Sequence, residues 1–155
     1  MLIGLISDTH GLLRPEVHSA LAGVDLIFHA GDVCGDDILD ELALIAPTEA
    51  VYGNNDYAGH PALAESIERV FDDFTLHVSH GHELGRPKPE QLLARYDADI
   101  IVYGHTHNPL IHHAGKRLVV NPGAAGPRRF NLPATVARLT IEPGSASAEL
   151  VNLVT

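Results

Sequence analysis

The 155-residue sequence predicts an α/β fold in which two β-sheets pack together with helices on the outer side of each. Three observations predict it. The first half alternates short apolar runs with amphipathic stretches in β-α-β-α-β order, which calls for parallel pairing through helical crossovers. The second half supplies more strands around a single helical stretch and ends in strands alone. Five of the apolar runs stop at clusters of Asp, Asn and His, as expected where an open α/β sheet carries its site beyond the carboxyl ends of its strands.

The elements follow in order. Residues 2–7 are short and apolar throughout, the pattern of a buried strand. Pro15 suits a helix start, and Val17, Ala20 and Leu21 give that helix an apolar face. Residues 25–30 form a second strand. Gly35-Asp36 opens a second helix with Ile38, Leu39, Leu42 and Ile45 on one side, and Pro47 closes it. Asp36 and Asp37 suit the positive end of its dipole. Residues 49–52 are a third strand, and residues 57–64, with Gly59 and Pro61, read as a loop. Residues 66–71 and 74–79 are two strands turned at Asp72-Asp73. A helix follows Pro89, with Leu92, Leu93 and Tyr96 facing inward, and residues 99–103 form another buried strand. Residues 111–113 and 118–121 pair as a hairpin across Gly115-Lys116, and residues 134–141 and 147–153 meet at Pro143-Gly144. No repeat, low-complexity tract or linker interrupts this order, so a single domain over 1–155 is expected.

Composition narrows the function classes. The chain is 45% hydrophobic and 19% charged, ordinary for a globular protein. No apolar run approaches ~18 residues, which excludes a membrane-spanning helix. The start of the chain has no basic region and Asp8 interrupts its apolar stretch, so no signal peptide and a cytoplasmic location are expected. The lone Cys34 agrees with a reducing compartment and is expected to be a small packing residue. A net charge of −10 repels nucleic-acid backbone and argues against non-specific duplex binding. Bound cations would reverse that sign locally, so a phosphate substrate stays compatible.

The polar clusters carry the chemistry. They are Asp8-Thr9-His10, Gly31-Asp32, Gly53-Asn54-Asn55-Asp56, His80-Gly81-His82 and Gly104-His105-Thr106-His107. Carboxylate, amide oxygen and imidazole are ligands of divalent metals, and there are enough of them for two ions. Side chains two apart on extended chain point the same way, so Asp8 and His10 can share one ion, and His105 and His107 can face one ion or straddle two. Asp32 has two carboxylate oxygens and can bridge. Taken singly, each motif is weak; Gly-Asp alone is a turn. The force lies in five clusters at five strand ends.

In this order the motifs, with the trailing Asn121-Pro122-Gly123, resemble the calcineurin-like metallophosphoesterases, and in particular their small YfcE-type phosphodiesterase branch. The resemblance implies a four-layer α/β/β/α sandwich of two mixed sheets flanked by helices. It implies that Asp8, His10 and His107 hold one ion, that Asn54, His80 and His105 hold a second, and that Asp32 bridges them. It implies a metal-dependent phosphodiesterase in which a metal-bridging hydroxide attacks a small phosphate ester. Mn is the metal expected, and Ni, Fe, Co or Zn also suit the mixed donors. Many relatives carry a His after the motif's Asn as general acid. Asn55 stands there in this chain and cannot protonate an alkoxide, and His82 is the nearest replacement. A structural role for His82 stays open.

Two readings compete with the enzyme. One is a non-catalytic scaffold, as in a retromer subunit that resembles this family. The other is a metal-binding regulatory or storage protein without turnover. Scaffold drift shows as lost ligands, and here all seven positions are filled. Arg128 and Arg129 could reach substrate phosphate, but a solvated loop or a subunit contact is the simpler reading of both. Substrate selection would come from residues 57–65, 82–90 and 124–133, which hold no diagnostic motif. Homo-oligomer formation stays open.

Overall fold

The computed structural model describes residues 1–129 and 131–154. The first sheet has the order β11-β10-β1-β2-β3-β4, built from β1 (Leu2–Ile6), β2 (Leu26–His29), β3 (Thr48–Val51), β4 (Leu63–Ala64), β10 (Thr135–Glu142) and β11 (Ser145–Asn152). The second has the order β5-β6-β7-β9-β8, built from β5 (Ile67–Phe71), β6 (Phe74–Val78), β7 (Ile100–Val102), β8 (Leu110–Ala114) and β9 (Arg117–Asn121). Both sheets are mixed. β1 to β4 run parallel, as do β6, β7 and β9, while β10, β11, β5 and β8 pair antiparallel.

Three apolar layers hold the fold. Ile3, Leu5, Phe28 and Val51 of one sheet meet Leu76, Val78, Ile100 and Val120 of the other in a core between the sheets. The outer face of the first sheet, with Ile6 and Ile27, is covered by α1 (Glu16–Ala20) and α2 (Asp36–Ala43) through Val17, Leu21, Ile38 and Leu42. The outer face of the second, with Ile101 and Val119, is covered by α3 (Pro89–Arg95) through Leu92 and by the following Tyr96. Strands buried on both faces explain why β1 and β7 read as unbroken apolar runs. The layers are those of an α/β/β/α sandwich, as expected. No helix among the described residues is long and apolar enough to cross a membrane.

The structure departs from the sequence expectations in three places. The stretch expected to be a loop, 57–64, ends in a two-residue strand, β4, parallel to β3. So short a strand after Pro61 leaves no periodic signal. Residues 82–84 form a 3-10 turn (His82–Leu84), set between the left-handed Gly81 and Gly85. The two sheets are not the two halves of the chain. The terminal β10-β11 hairpin returns to the first sheet, where β10 pairs antiparallel with β1. Partner choice depends on contacts 138 residues apart, such as Leu2 with Thr140, which no local pattern encodes.

Candidate metal centre

The carboxyl ends of β1, β2, β3, β6 and β7 lie on one rim, and all five clusters meet there. Asp8 and His80 are fully buried, Asp32 and His107 nearly so, and His10 is half-buried. Asp8, His10 and His107 form one tight group, and Asp8, Asp32 and His80 form another. Asp8 Oδ1 lies 3.7 Å from His10 Nε2, 3.4 Å from His107 Nε2 and 3.8 Å from His80 Nε2. Asp32 Oδ2 lies 3.5 Å from His10 Nε2 and 3.4 Å from His80 Nε2. Asp32 is thus placed to serve both groups, and Asp8 is too. Asn54 Oδ1 is 3.1 Å from His80 Nε2. His105 stands outside both tight groups, with its ring edge-on to His80 at 5.2 Å between centroids.

The backbone reason differs from the one the spacing suggested. Asp8, His10, His105 and His107 are not on extended chain. They sit past the strand ends at φ 53°, 46°, 69° and 63°, and Asp32 follows at 55°. A left-handed turn, not strand alternation, brings Asp8 and His10 together. Each such residue costs of order 1–2 kcal/mol, and strain of this kind gathers where a site over-determines the backbone. Glycines beside the ligands allow the close approach. A methyl on Gly104 would overlap Ser7 Oγ and press on Asp8 Oδ2, and one on Gly53 would overlap Asp32.

A second layer of groups fixes the ligands. His80 Nδ1 donates to the Ala30 carbonyl at 2.7 Å, which leaves Nε2 with its lone pair toward the cluster. Ser7 Oγ and the His105 N–H donate to Asp8 Oδ2 at 2.7 and 3.1 Å. The Asp56 carboxylate accepts the N–H groups of Val33, Cys34 and Gly53, tying the Asp32 loop to the Asn54 loop. Gly31 N–H donates to His29 Nδ1 at 3.1 Å, so neutral His29 carries its proton on Nε2 and donates to Thr9 Oγ1 at 3.0 Å. Thr9 in turn donates to the Val33 carbonyl. Sequence reasoning gave Ser7, Thr9 and Asp56 no role. Each lies within or beside a motif, and that position was the available signal.

The electrostatics suit cations. Burial would raise the Asp8 carboxyl, but the nearby imidazoles of His10, His107 and His80 outweigh it and hold Asp8 well below the usual carboxylate range. Burial likewise opposes, and His80 and Asn55 overcome it, to bring Asp32 down to about 2. For His80, burial is outweighed by Asp32 and Asp8, so its pKa is raised; burial and the neighbouring His80 lower that of His105. Asp8 Oδ1 and His107 Nδ1 are buried without a hydrogen-bond partner among the described residues. An ionised, buried oxygen without a donor is costly unless a cation meets it, so the residues present fit divalent metal.

The remaining expected residues fall as follows. Asn55 donates from its backbone N–H to Asp32 Oδ1 and from Nδ2 to Asp32 Oδ2, both at 2.9 Å, which makes it an anchor of that carboxylate. His82 stands beside the cluster, 5.3 Å from His80 between ring centroids, with its Nδ1 buried without a hydrogen bond, 3.9 Å from Glu83 Oε1. Cys34, expected to be a packing residue, is exposed at φ 62°, because the loop turns outward there. Partial burial and the Asp56 carboxylate push its thiol up to about 11, which makes it a poor ligand. Arg128 and Arg129 are exposed, and Arg128 Nε donates to the Leu132 carbonyl.

Known proteins agree with this arrangement. The model of the calcineurin-like phosphoesterase superfamily domain matches residues 1–144. The chain is 37% identical to a probable metallophosphoesterase of Methanothermobacter thermautotrophicus, over 98% of this chain and 92% of that one. It is 31% identical to the phosphodiesterase MJ0936 of Methanocaldococcus jannaschii, over 79% and 83%. It is also similar to the crystal structure of wild-type Vps29 complexed with Zn2+ from Entamoeba histolytica, with a TM-score of 0.80 at 25% identity over 99% and 100% of the two chains. Fold, clustered ligands and relatives converge, and the chain belongs to the calcineurin-like phosphoesterase superfamily.

Proposed function

We propose that the protein is a phosphodiesterase that works with two divalent ions. One observation carries the reading: Asp8 and Asp32 each approach imidazoles of both ligand groups within 3.8 Å, so two cations can share their carboxylates. Asp8, His10 and His107 would hold one ion, Asn54, His80 and His105 the other, with Asp32 between. Bound there, such ions supply Lewis acidity to phosphoryl oxygens and lower the pKa of water.

The chain's own residues do the rest. His80, oriented by Ala30, and Asp8, oriented by Ser7, keep their ligand atoms aimed without rearrangement. Asn55 holds Asp32 in place and has no proton to offer a leaving alkoxide. His82 is the imidazole beside the cluster, its ring 5.3 Å from that of His80 and 6.3 Å from that of His105, and we assign it the proton for the leaving oxygen. Mn is our choice of metal from the family resemblance, since the mixed N/O donors by themselves favour no single first-row ion.

The test is turnover of bis(p-nitrophenyl) phosphate by metal-free and Mn-loaded protein. Turnover that requires Mn and falls at least about 10²-fold in Asp32→Asn supports the reading. The relation to zinc-bound Vps29 favours a second reading, metal binding without turnover. Two ions bound per chain with no hydrolysis of any diester would select it.

A further inference from the structure

A polar cleft of about 250 Å3 opens beside His82, where the chain passes from the first sheet to the second. Tyr52 after β3, Glu65 and Ser66 between β4 and β5, His82, and Arg95 and Tyr96 at the end of α3 line it. His82 joins the cleft to the metal centre, its ring centroid 5.3 Å from that of His80 and 6.3 Å from that of His105.

Part of the lining is already engaged. Glu83 accepts from Ser79 Oγ at 2.9 Å, from the Tyr96 hydroxyl at 2.7 Å and from the Gly81 N–H at 3.0 Å. The buried ring of His77 stacks on Tyr96 at 3.8 Å, and the Arg95 guanidinium lies over the same ring at 4.9 Å. These contacts make a firm wall. Tyr52, Glu65, Ser66 and Arg95 have no side-chain hydrogen bond or ion pair among the described residues. Four polar side chains without a hydrogen-bond or charge partner among the described residues therefore line one cleft at the edge of the centre.

Their chemistry selects the occupant. Two hydroxyls that both donate and accept, one carboxylate and one guanidinium match a neutral group rich in hydroxyls. A charged group would gain at Glu65 or Arg95 and lose at the other. An alkyl group would leave them dehydrated and unpaired. A nucleobase finds no slot, because Tyr96 is covered, and the Tyr52 and His82 rings stand only 6.4 Å apart at 57°.

We propose that this cleft is the subsite for one ester group of the substrate and that it selects a polyol, glycerol or a sugar, over an alkyl chain. The proposal rests on the phosphodiesterase reading above. Its test compares p-nitrophenyl glyceryl phosphate with p-nitrophenyl propyl phosphate on the Mn-loaded full chain. Both release nitrophenolate, so only the retained ester group differs. The expected kcat/KM favours the glyceryl ester by about tenfold or more, and Glu65→Ala with Ser66→Ala brings the ratio close to one. Equal kcat/KM in the unaltered protein, or a preference that survives the double substitution, overturns the proposal. Calorimetric titration with glycerol phosphate and propyl phosphate reads the cleft without turnover. If neither diester is hydrolysed but glycerol phosphate binds about tenfold tighter, lost in the double variant, the cleft stands and the phosphodiesterase reading falls. Equal affinity for the two overturns the cleft.

Discussion

Acidifying the metal-free protein puts His29 under a thermodynamic load that can be measured. Its ring is fully buried behind the Asp8 and Asp32 loops. Protonation would turn Nδ1 into a donor facing the Gly31 N–H donor. Burial, only partly offset by the Asp8 and Asp56 carboxylates, lowers its pKa from 6.5 to about 4. The sign follows from linkage. Above about 6.5 the ring is neutral in both folded and unfolded chains, and its full contribution is present. Between about 6.5 and 4 the unfolded chain takes up a proton that the folded chain refuses, so stability falls as pH falls. Each pKa unit is worth about 1.4 kcal/mol, so the loss reaches about 3 kcal/mol at the lower end and then levels off. Urea unfolding of the chelated protein, measured at several pH values beside His29→Gln, reads this directly. The variant loses its pH-independent share through a weakened contact to Thr9, but it cannot lose the titrating share. His77 and His105, with lowered pKa values, and His80, with a raised one, titrate in both proteins and leave the difference. The stability gap should therefore close by about 3 kcal/mol on acidification. Parallel curves would refute the buried neutral imidazole.

Further outcomes follow from the same structure. Asp32→Asn should weaken both metals together, and elemental analysis of the Mn-reconstituted variant should find both depleted; one ion retained at full occupancy would break the shared-ligand arrangement. Asn55→Ala removes the side-chain donor to Asp32 and should cost about 10–100-fold in metal affinity by competition with a chelator. Asn55→His adds an imidazole only by removing the same donor, so its metal affinity should fall alongside. With His82 as the acid in place of Asn55, His82→Ala should slow an alkyl diester by about 10²–10⁴-fold and a nitrophenyl diester little; equal loss on both esters would count against the assignment. Gly104→Ala should abolish metal binding through contact with Ser7 and Asp8, whereas Phe28→Ala, in the core between the sheets, should lower unfolding free energy by about 3–5 kcal/mol and leave ligand geometry alone.

Local chemistry was legible in the sequence. Apolar runs buried on both faces marked β1, β2 and β7, since a strand between two layers has no polar side. Amphipathic spacing marked α2, because one face meets Ile27 and the other meets water. The ligand types were legible because metal chemistry admits few donors, and all seven expected ligands gather at one rim. What remained hidden was set by contacts between distant segments. The return of β10 to β1 rests on partners about the whole chain apart. The left-handed turns at Asp8 and Asp32 are held by bonds from distant segments, from the His105 N–H to Asp8 and from the Asn55 N–H to Asp32, so spacing suggested extended chain where the structure has turns. Asn55 read as a missing acid, and only its approach to Asp32 made it an anchor. The cleft beside His82 draws its walls from four separate stretches. A local pattern can specify which groups a strand end carries, but which lone pairs face each other is decided when the layers pack.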